Sequence, residues 1–299
     1  MSKHAYLIMA HKGWDQLARL IHLLDDTDND IYIHIDKNAN NVNFENIEKQ
    51  AIYSHILVIS EISICWGSDS IMNCEMMLLK RAAERHYAYY HLLSGADLLL
   101  KPQNEIHDFF DKNAGREFIH FYSGPISIDN PIFDRVKLYH YFQSKNIFMK
   151  GLDKVTCYIQ KILGVNRWSG EKRELLYGAN WFSITDDLAQ YVISQESWIK
   201  KRFSYTHCCD ELFLQTIVYN SKFKQKLYQC NFCNDYVSNM RYIKWDSSNG
   251  KTSHPVTLTM KDYDCMHESG RLFARKFDAD VDVSIIDKLY NECNMEFIR

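Results

Sequence analysis

Tyr6-Leu7-Ile8-Met9-Ala10-His11-Lys12 is a short apolar run closed by two polar residues. Its length is that of a strand, too short for a signal core or a membrane span. It reads as a buried first strand, and the same kind of unit recurs through the first third of the chain. Trp14–Leu24 carries apolar residues at helical spacing, Asp30–Ile35 is a second strand, Ile56–Val58 a third, Ser70–Arg85 a helix and Tyr89–Leu93 a fourth strand. Strand and helix in alternation predict an α/β fold with a mainly parallel central sheet, right-handed crossovers and ligands at the carboxyl ends of its strands. Those ends carry His11-Lys12, Asp36-Lys37, Trp66-Gly67 and Ser94-Gly95-Ala96-Asp97.

The 299 residues, 46% apolar and 14% aromatic, suffice for one large core or two modest ones, and one catalytic unit is expected. Only four prolines occur, with no repeat, low-complexity tract or linker. With a formal charge of −3 and acids and bases intermixed, no basic stripe argues for nucleic acid or for a strongly anionic membrane surface, and a neutral or weakly charged partner fits better. Nine scattered cysteines suit reduced thiols in a cytosol better than a disulfide framework. Cys208-Cys209 with Cys230-x-x-Cys233 is a poor zinc site, since adjacent cysteines rarely supply two ligands of one tetrahedron.

Beyond Phe118 the texture changes. The stretch to Lys172 is aromatic and basic, with Arg135, Lys137, Tyr139, His140 and Tyr141 close together. It reads either as a face beside the site or as a solvated helix with a buried aromatic side. Asn180–Ile184 is strand-like, Asp187–Gln195 helical, and Asp210–Asn220 a second amphipathic helix opened by two carboxylates. Asp210 and Glu211 there are either caps, favoured by the helix dipole and free N–H groups, or a general base for a hydroxyl. Near the C-terminus, Leu272-Phe273-Ala274-Arg275-Lys276-Phe277-Asp278 frames two cations with aromatics, an arrangement suited to a diphosphate or to an ion pair with Asp278. Metal-dependent nucleotide-sugar enzymes of this architecture carry Asp-x-Asp at the end of a central strand. The corresponding place reads Ser94-Gly95-Ala96-Asp97, with one carboxylate, and the Asp-x-Asp triplets elsewhere read as turns or solvated faces.

In their order and spacing these pieces resemble the core-2/I-branching β-1,6-N-acetylglucosaminyltransferase family, which also contains peptide O-xylosyltransferases. The resemblance runs through Tyr6–Lys12, Ile33-His34-Ile35-Asp36, Trp66-Gly67-Ser68, Leu92–Lys101, Asp210-Glu211, Arg241-Tyr242-Ile243-Lys244-Trp245, His254-Pro255 and Leu272–Asp278. It implies a GT-A fold in one domain over 1–299, with a nucleotide-binding half to about residue 117 and an acceptor-binding, catalytic half from about 118. It also implies a UDP-sugar donor, inversion at the anomeric carbon, and no metal or other cofactor. Glu211 falls on the family's catalytic base, Lys276 on the lysine that contacts the donor diphosphate, Asp36 on the nucleoside contact and Trp245 on an acceptor-site tryptophan.

The animal branching enzymes pair that lysine with an upstream arginine, and no arginine lies between Arg241 and Arg271 here. His254, Arg275 or Arg241 takes that role, or one cation fewer holds the diphosphate. With the strand-end residues His11, Trp66 and Asp97 these complete the expected donor set, while Trp181, Asp210 and Arg135 join Trp245 on the acceptor side. The resemblance further implies a bacterial-type cytoplasmic enzyme building a surface polysaccharide, with a glycan or lipid-linked glycan as acceptor. A lipid-linked acceptor would bring peripheral association with the inner membrane face. N-acetylglucosamine is the expected sugar, with xylose, glucose or galactose as alternatives, and a non-catalytic glycan or sugar-nucleotide binder as the competing class. An oxidoreductase would need Gly-x-Gly-x-x-Gly after the first strand, where Ala10-His11-Lys12-Gly13-Trp14 has one glycine.

Overall fold

The computed structural model describes residues 2–144, 146–230, 232, 235–246 and 255–295. Four strands, β1 (His4–Ala10), β2 (Asn29–Ile35), β3 (His55–Ile59) and β4 (Tyr89–Ser94), are mutually parallel. After β5 (Asp97–Leu99), strand β6 (Ser183–Thr185) joins the free edge of β4 antiparallel, giving the order β3-β2-β1-β4-β6. A second, three-stranded sheet sets β5 antiparallel to β8 (Phe273–Arg275), which lies parallel to β7 (Arg241–Ile243). The α/β, mainly parallel architecture expected from the sequence is the architecture observed.

β1 and β2 are covered on both faces, which is why their sequences are nearly continuous in apolar residues rather than alternating. Successive side chains still separate by face. Tyr6, Ile8, Ile31 and Ile33 pack with Leu17, Leu20 and Ile21 of helix Trp14–Leu24. Ala5, Leu7, Tyr32 and Leu92 pack on the other side with Met72, Met76 and Leu79 of helix Ser70–Ala83.

Two elements differ from the sequence reading. The helix expected over Asp210–Asn220 begins only at Phe213, because Cys209–Glu211 forms a separate 3-10 turn and Leu212 breaks the path with φ −123°. The carboxylates therefore do not cap the helix Phe213–Tyr219. Within the basic, aromatic segment, helix Ile147–Ile162 turns its apolar side outward, with Ile147, Phe148 and Ile162 all more than two-thirds exposed. It does not bury an aromatic side as the simpler reading expected.

Arg241 joins the two sheets. Its guanidinium, fully enclosed, donates to the carbonyls of Leu92 (3.2 Å) and Phe182 (2.6 Å) beside the large sheet, to Asn239 O (2.5 Å) and to Ser183 Oγ (2.8 Å). It also lies 4.7 Å from the centre of the Phe273 ring in β8. Burial depresses its pKa to about 9, which still leaves it charged at neutral pH. Replacing it by methionine keeps the length but removes the guanidinium donor from three buried carbonyls, of which Phe182 O keeps the Leu92 N–H at 3.0 Å. At about 1–3 kcal/mol for each unsatisfied group, Arg241→Met is expected to lower unfolding stability by at least about 2 kcal/mol, read from urea denaturation. A loss within about 1 kcal/mol would show that the clasp is dispensable.

Candidate active site

The carboxyl ends of β1, β2 and β4 meet the small sheet and the Cys209–Glu211 turn around a cleft of about 370 Å³. His11, Asp36 and Ser94 contribute the strand-end wall, with Trp66, Trp181, Trp245, Asp210, Glu211 and Arg275 around the remainder. A ligand at the carboxyl edge of a parallel sheet is what the topology dictates.

The Asp-Glu turn is positioned by close backbone approaches. Cys208 has a left-handed backbone with φ 48°, and its N–H donates to Gly67 O at 2.8 Å. Gly67 itself has φ 81°, and a Cβ there would stand 2.6 Å from His207 Cε1. On the other side Gly178 N donates to Glu211 O at 2.9 Å, and a Cβ on Gly178 would fall 1.8 Å from His120 O. Trp66 and His207 meet edge to face at 6.1 Å, so the loop after β3 and the Asp-Glu turn form one wall.

Arg135 Nη1 donates to Glu211 Oε2 at 2.9 Å, and both side chains are about three-quarters buried. Burial raises the Glu211 pKa above the ordinary glutamate range, and the charge and hydrogen bond of Arg135 oppose that shift, as does a hydrogen bond with Tyr177. Asp210 is enclosed, and burial together with the Glu211 charge pushes its carboxyl up to about 7. Glu75, from helix Ser70–Ala83, lies against Asp210 and is raised well above its usual range by burial and by the Asp210 charge. Asn180 Nδ2 donates to Glu75 Oε1 at 3.1 Å, while Glu75 Oε2 and Asp210 Oδ1 have no hydrogen-bond partner among the described residues. Three carboxyl groups thus line one path from the core to the cleft, and burial with mutual repulsion disfavours ionisation of the inner two.

On the opposite side, the Arg275 guanidinium stacks 3.8 Å from the centre of the Trp181 ring, and its Nε lies 3.5 Å from Asp97. Asp97 is spent inside its own turn, accepting from Ser94 N at 3.0 Å and Ser94 Oγ at 2.6 Å, and it does not line the cleft. Arg241, enclosed in the clasp between the sheets, also does not line it. Lys276 is half-buried next to the wall, beyond Arg275, and Asp278 is held below the usual carboxylate range chiefly by its hydrogen bond with Lys12, with the Lys276 charge a smaller contribution. Arg135 reaches the cleft through Glu211. His254 lies outside the described residues. Among the described cations named from the sequence, Arg275 is the one in the wall itself.

A second depression of about 600 Å³ adjoins the cleft, sharing Tyr122, Ile243 and Trp245 with it. Its aromatic rim is tied together by Trp245 Nε1 donating to Tyr236 OH (2.6 Å) and by the Tyr122–Tyr236 hydroxyl pair (2.8 Å). The sequence reading did not single out Glu75, Asn180, Tyr122, Tyr177 or Tyr236. Outside the cleft, His140 Nδ1, Asp153 Oδ2 and Cys157 Sγ lie within 4.8 Å of one another. Cys208 and Cys209 are buried free thiols, and Cys233 lies outside the described residues.

A fold with its ligand cleft at the carboxyl edge of a parallel sheet, walled by carboxylates and an arginine, defines a protein class that comparison with known sequences makes specific. The family model Core-2/I-Branching enzyme matches residues 4–267, and the chain belongs to that glycosyltransferase family. It is similar to Xylosyltransferase 2 of Rattus norvegicus, 22% identical over 313 residues covering 95% of this chain and 33% of the relative. It is similar also to Xylosyltransferase 1 of Homo sapiens, 23% identical over 309 residues covering 95% of this chain and 30% of the relative. The chain spans about a third of the length of these relatives. The GT-A class expected for the fold is consistent with this membership.

The carboxyl stack has a signature in the pH dependence of stability. In the unfolded chain these carboxyls ionise near 4, whereas in the folded protein Asp210 is pushed up to about 7 and Glu75 well above its ordinary range. Stability from the protonated pair is therefore fully present below the unfolded values and is lost as pH rises through the folded ones. Glu75→Gln keeps the oxygen that Asn180 uses and removes the burden of ionisation. The variant is expected to gain stability relative to the parent as pH is raised from about 5 to about 8, measured by denaturant titrations at each pH. Parallel stability curves would rule out the raised ionisation range.

Proposed function

We propose that this protein transfers a sugar from a UDP-sugar to a hydroxyl of a glycan acceptor with inversion, using Glu211 as general base and no metal. The observation that carries the reading is the position of the Glu211 carboxylate in the cleft wall, fixed by Arg135 at 2.9 Å and raised in basicity by burial. In the proposed reaction the acceptor oxygen attacks the anomeric carbon, the bond from that carbon to the diphosphate oxygen breaks, UDP leaves, and Glu211 receives the hydroxyl proton. Asp36, at the end of β2, is suited to the nucleoside, with His11 and Trp66 beside it. Arg275 and Lys276 meet the charge that develops on the diphosphate. Trp181, Trp245 and the tyrosine rim offer ring faces on which sugars stack, with Asp210 below Glu211 as a neutral neighbour.

N-acetylglucosamine is the sugar proposed from the sequence. The printed names of the similar proteins favour a second reading, xylose, on the same machinery, and release of UDP from a panel of UDP-sugars separates the two. A glycan acceptor, soluble or lipid-linked, completes the reaction. Among the described residues no helix is long and apolar enough to cross a membrane. The buried free thiols of Cys74, Cys208 and Cys209 support a reducing, cytoplasmic compartment.

Support for a metal-free mechanism comes from Asp97, whose oxygens are engaged by Ser94, and from the cations standing near the cleft in its place. Transfer is expected to persist in EDTA. Activity abolished by EDTA and restored by Mn²⁺ would overturn this part.

Glu211→Gln separates catalysis from structure. The amide still accepts from Arg135 but takes no proton from the acceptor, and general-base catalysis contributes about 10²–10⁴-fold. The folded variant is expected to bind UDP like the parent and to transfer at least about 100-fold more slowly. A rate within a few-fold of the parent would remove Glu211 from the chemistry.

A further inference from the structure

Helix Ile147–Ile162 is inverted relative to an ordinary surface helix. Its polar side faces the protein. Gln160 is its buried residue and exchanges two hydrogen bonds of 2.8 Å with the backbone of Tyr139. Asp153, its single acid, is turned inward to His140 Nδ1 (2.8 Å) and Phe142 N (3.1 Å). The opposite side is apolar and open. Ile147, Phe148, Val155, Tyr158, Ile159 and Ile162 recur at helical spacing and are between 48% and 87% exposed. A helix that buries its polar side and bares its apolar one gains nothing from the hydrophobic effect until something apolar covers it.

Charge on the same helix selects the cover. Lys150, Lys154 and Lys161 are exposed and fall on one line along the flank of the apolar face, four and seven residues apart, a local basic row that the mixed charge of the sequence as a whole does not reveal. Lys161 also reaches Asp134 at 2.6 Å. An apolar face edged by lysines, with the only acid of the helix withdrawn, matches the boundary between acyl chains and anionic headgroups. A second copy of this chain would instead bring a like row of lysines and no acidic complement from the helix.

We propose that helix Ile147–Ile162 lies in the plane of an anionic membrane surface, its apolar side among the acyl chains and its lysines at the headgroups. At 16 residues it covers about 24 Å, enough for an interfacial anchor and too little to span. The helix rests on the segment that carries Arg135, and His140 beneath it lies 5.9 Å from His207, which packs on Trp66 in the cleft wall. The cleft is thereby held near the lipid surface, where a lipid-linked acceptor would present its sugar. The anchor deepens the acceptor reading above but does not depend on the identity of the base or donor.

Flotation of the whole protein with phosphatidylcholine vesicles, and with vesicles mixing phosphatidylcholine and phosphatidylglycerol, tests this directly. The protein is expected to float with the mixed vesicles and to stay largely free of the neutral ones. Phe148→Ser with Ile159→Ser should reduce partitioning at least about 100-fold, and Lys150→Gln with Lys154→Gln about 10- to 30-fold. Both variants should keep the parent circular dichroism and the parent rate of UDP release from soluble donor, so failure of the transferase reading would not affect the vesicle result. No flotation with mixed vesicles, equal flotation with neutral ones, or parent-like binding by the serine variant would each overturn the proposal. So would a dimer in solution that the serine variant dissociates, since that assigns the face to a second copy.

Discussion

Arg241 is a cation with no carboxylate within hydrogen-bonding distance among the described residues. Its four side-chain hydrogen bonds go to three carbonyl oxygens and a hydroxyl, drawn from β4, from the start of β6 and from the turn that precedes β7. A guanidinium suits this task because its donors lie in a fixed planar fork and its hydration is weaker than that of an ammonium. Through it the small sheet is set against the large one. The cleft exists because that placement brings Arg275 at the end of β8 and Trp245 just after β7 to face the strand ends His11, Asp36 and Ser94.

The two sides of the cleft contrast electrostatically. Arg275, stacked on Trp181, supplies a fixed positive charge on the small-sheet side. On the other, Glu211, Asp210 and Glu75 form a gradient of burial, and the deeper a carboxyl lies the more it resists ionisation. Arg135 keeps the outermost member of that series oriented, from a short helix that helix Ile147–Ile162 in turn braces through the Lys161–Asp134 pair.

The first half of the fold was legible because buried parallel strands such as Ile31–Ile35 leave a continuous apolar record, and helices such as Trp14–Leu24 leave a periodic one. The Asp-Glu motif could be singled out in the sequence, but its geometry could not. Cys209–Glu211 continues the helical pattern of Phe213–Tyr219 in sequence, and only the left-handed Cys208 and the non-helical Leu212 separate the two. The clasp role of Arg241 left no trace in the sequence, because a lone arginine carries no local mark of burial and its partners lie as far as 149 positions away. Glu75 did leave a signal, an acid inside the buried run Met72, Cys74, Met76, Leu78 and Leu79. The tyrosines of the second depression left none, since Tyr122, Tyr177 and Tyr236 come together only through tertiary packing.

The raised ionisation range of Glu75 and Asp210 gives the cleft a charge that responds to its occupant. A ligand bringing negative charge close to these carboxyls favours their protonated form, and its binding draws protons from solvent, while a cationic ligand expels them. Heat measured on binding therefore contains the ionisation enthalpy of the buffer, and titrations in phosphate and in Tris would differ for the same ligand. The slope of heat against buffer enthalpy counts the protons moved, making this pair of carboxyls a calorimetric reporter of the charge that enters the cleft.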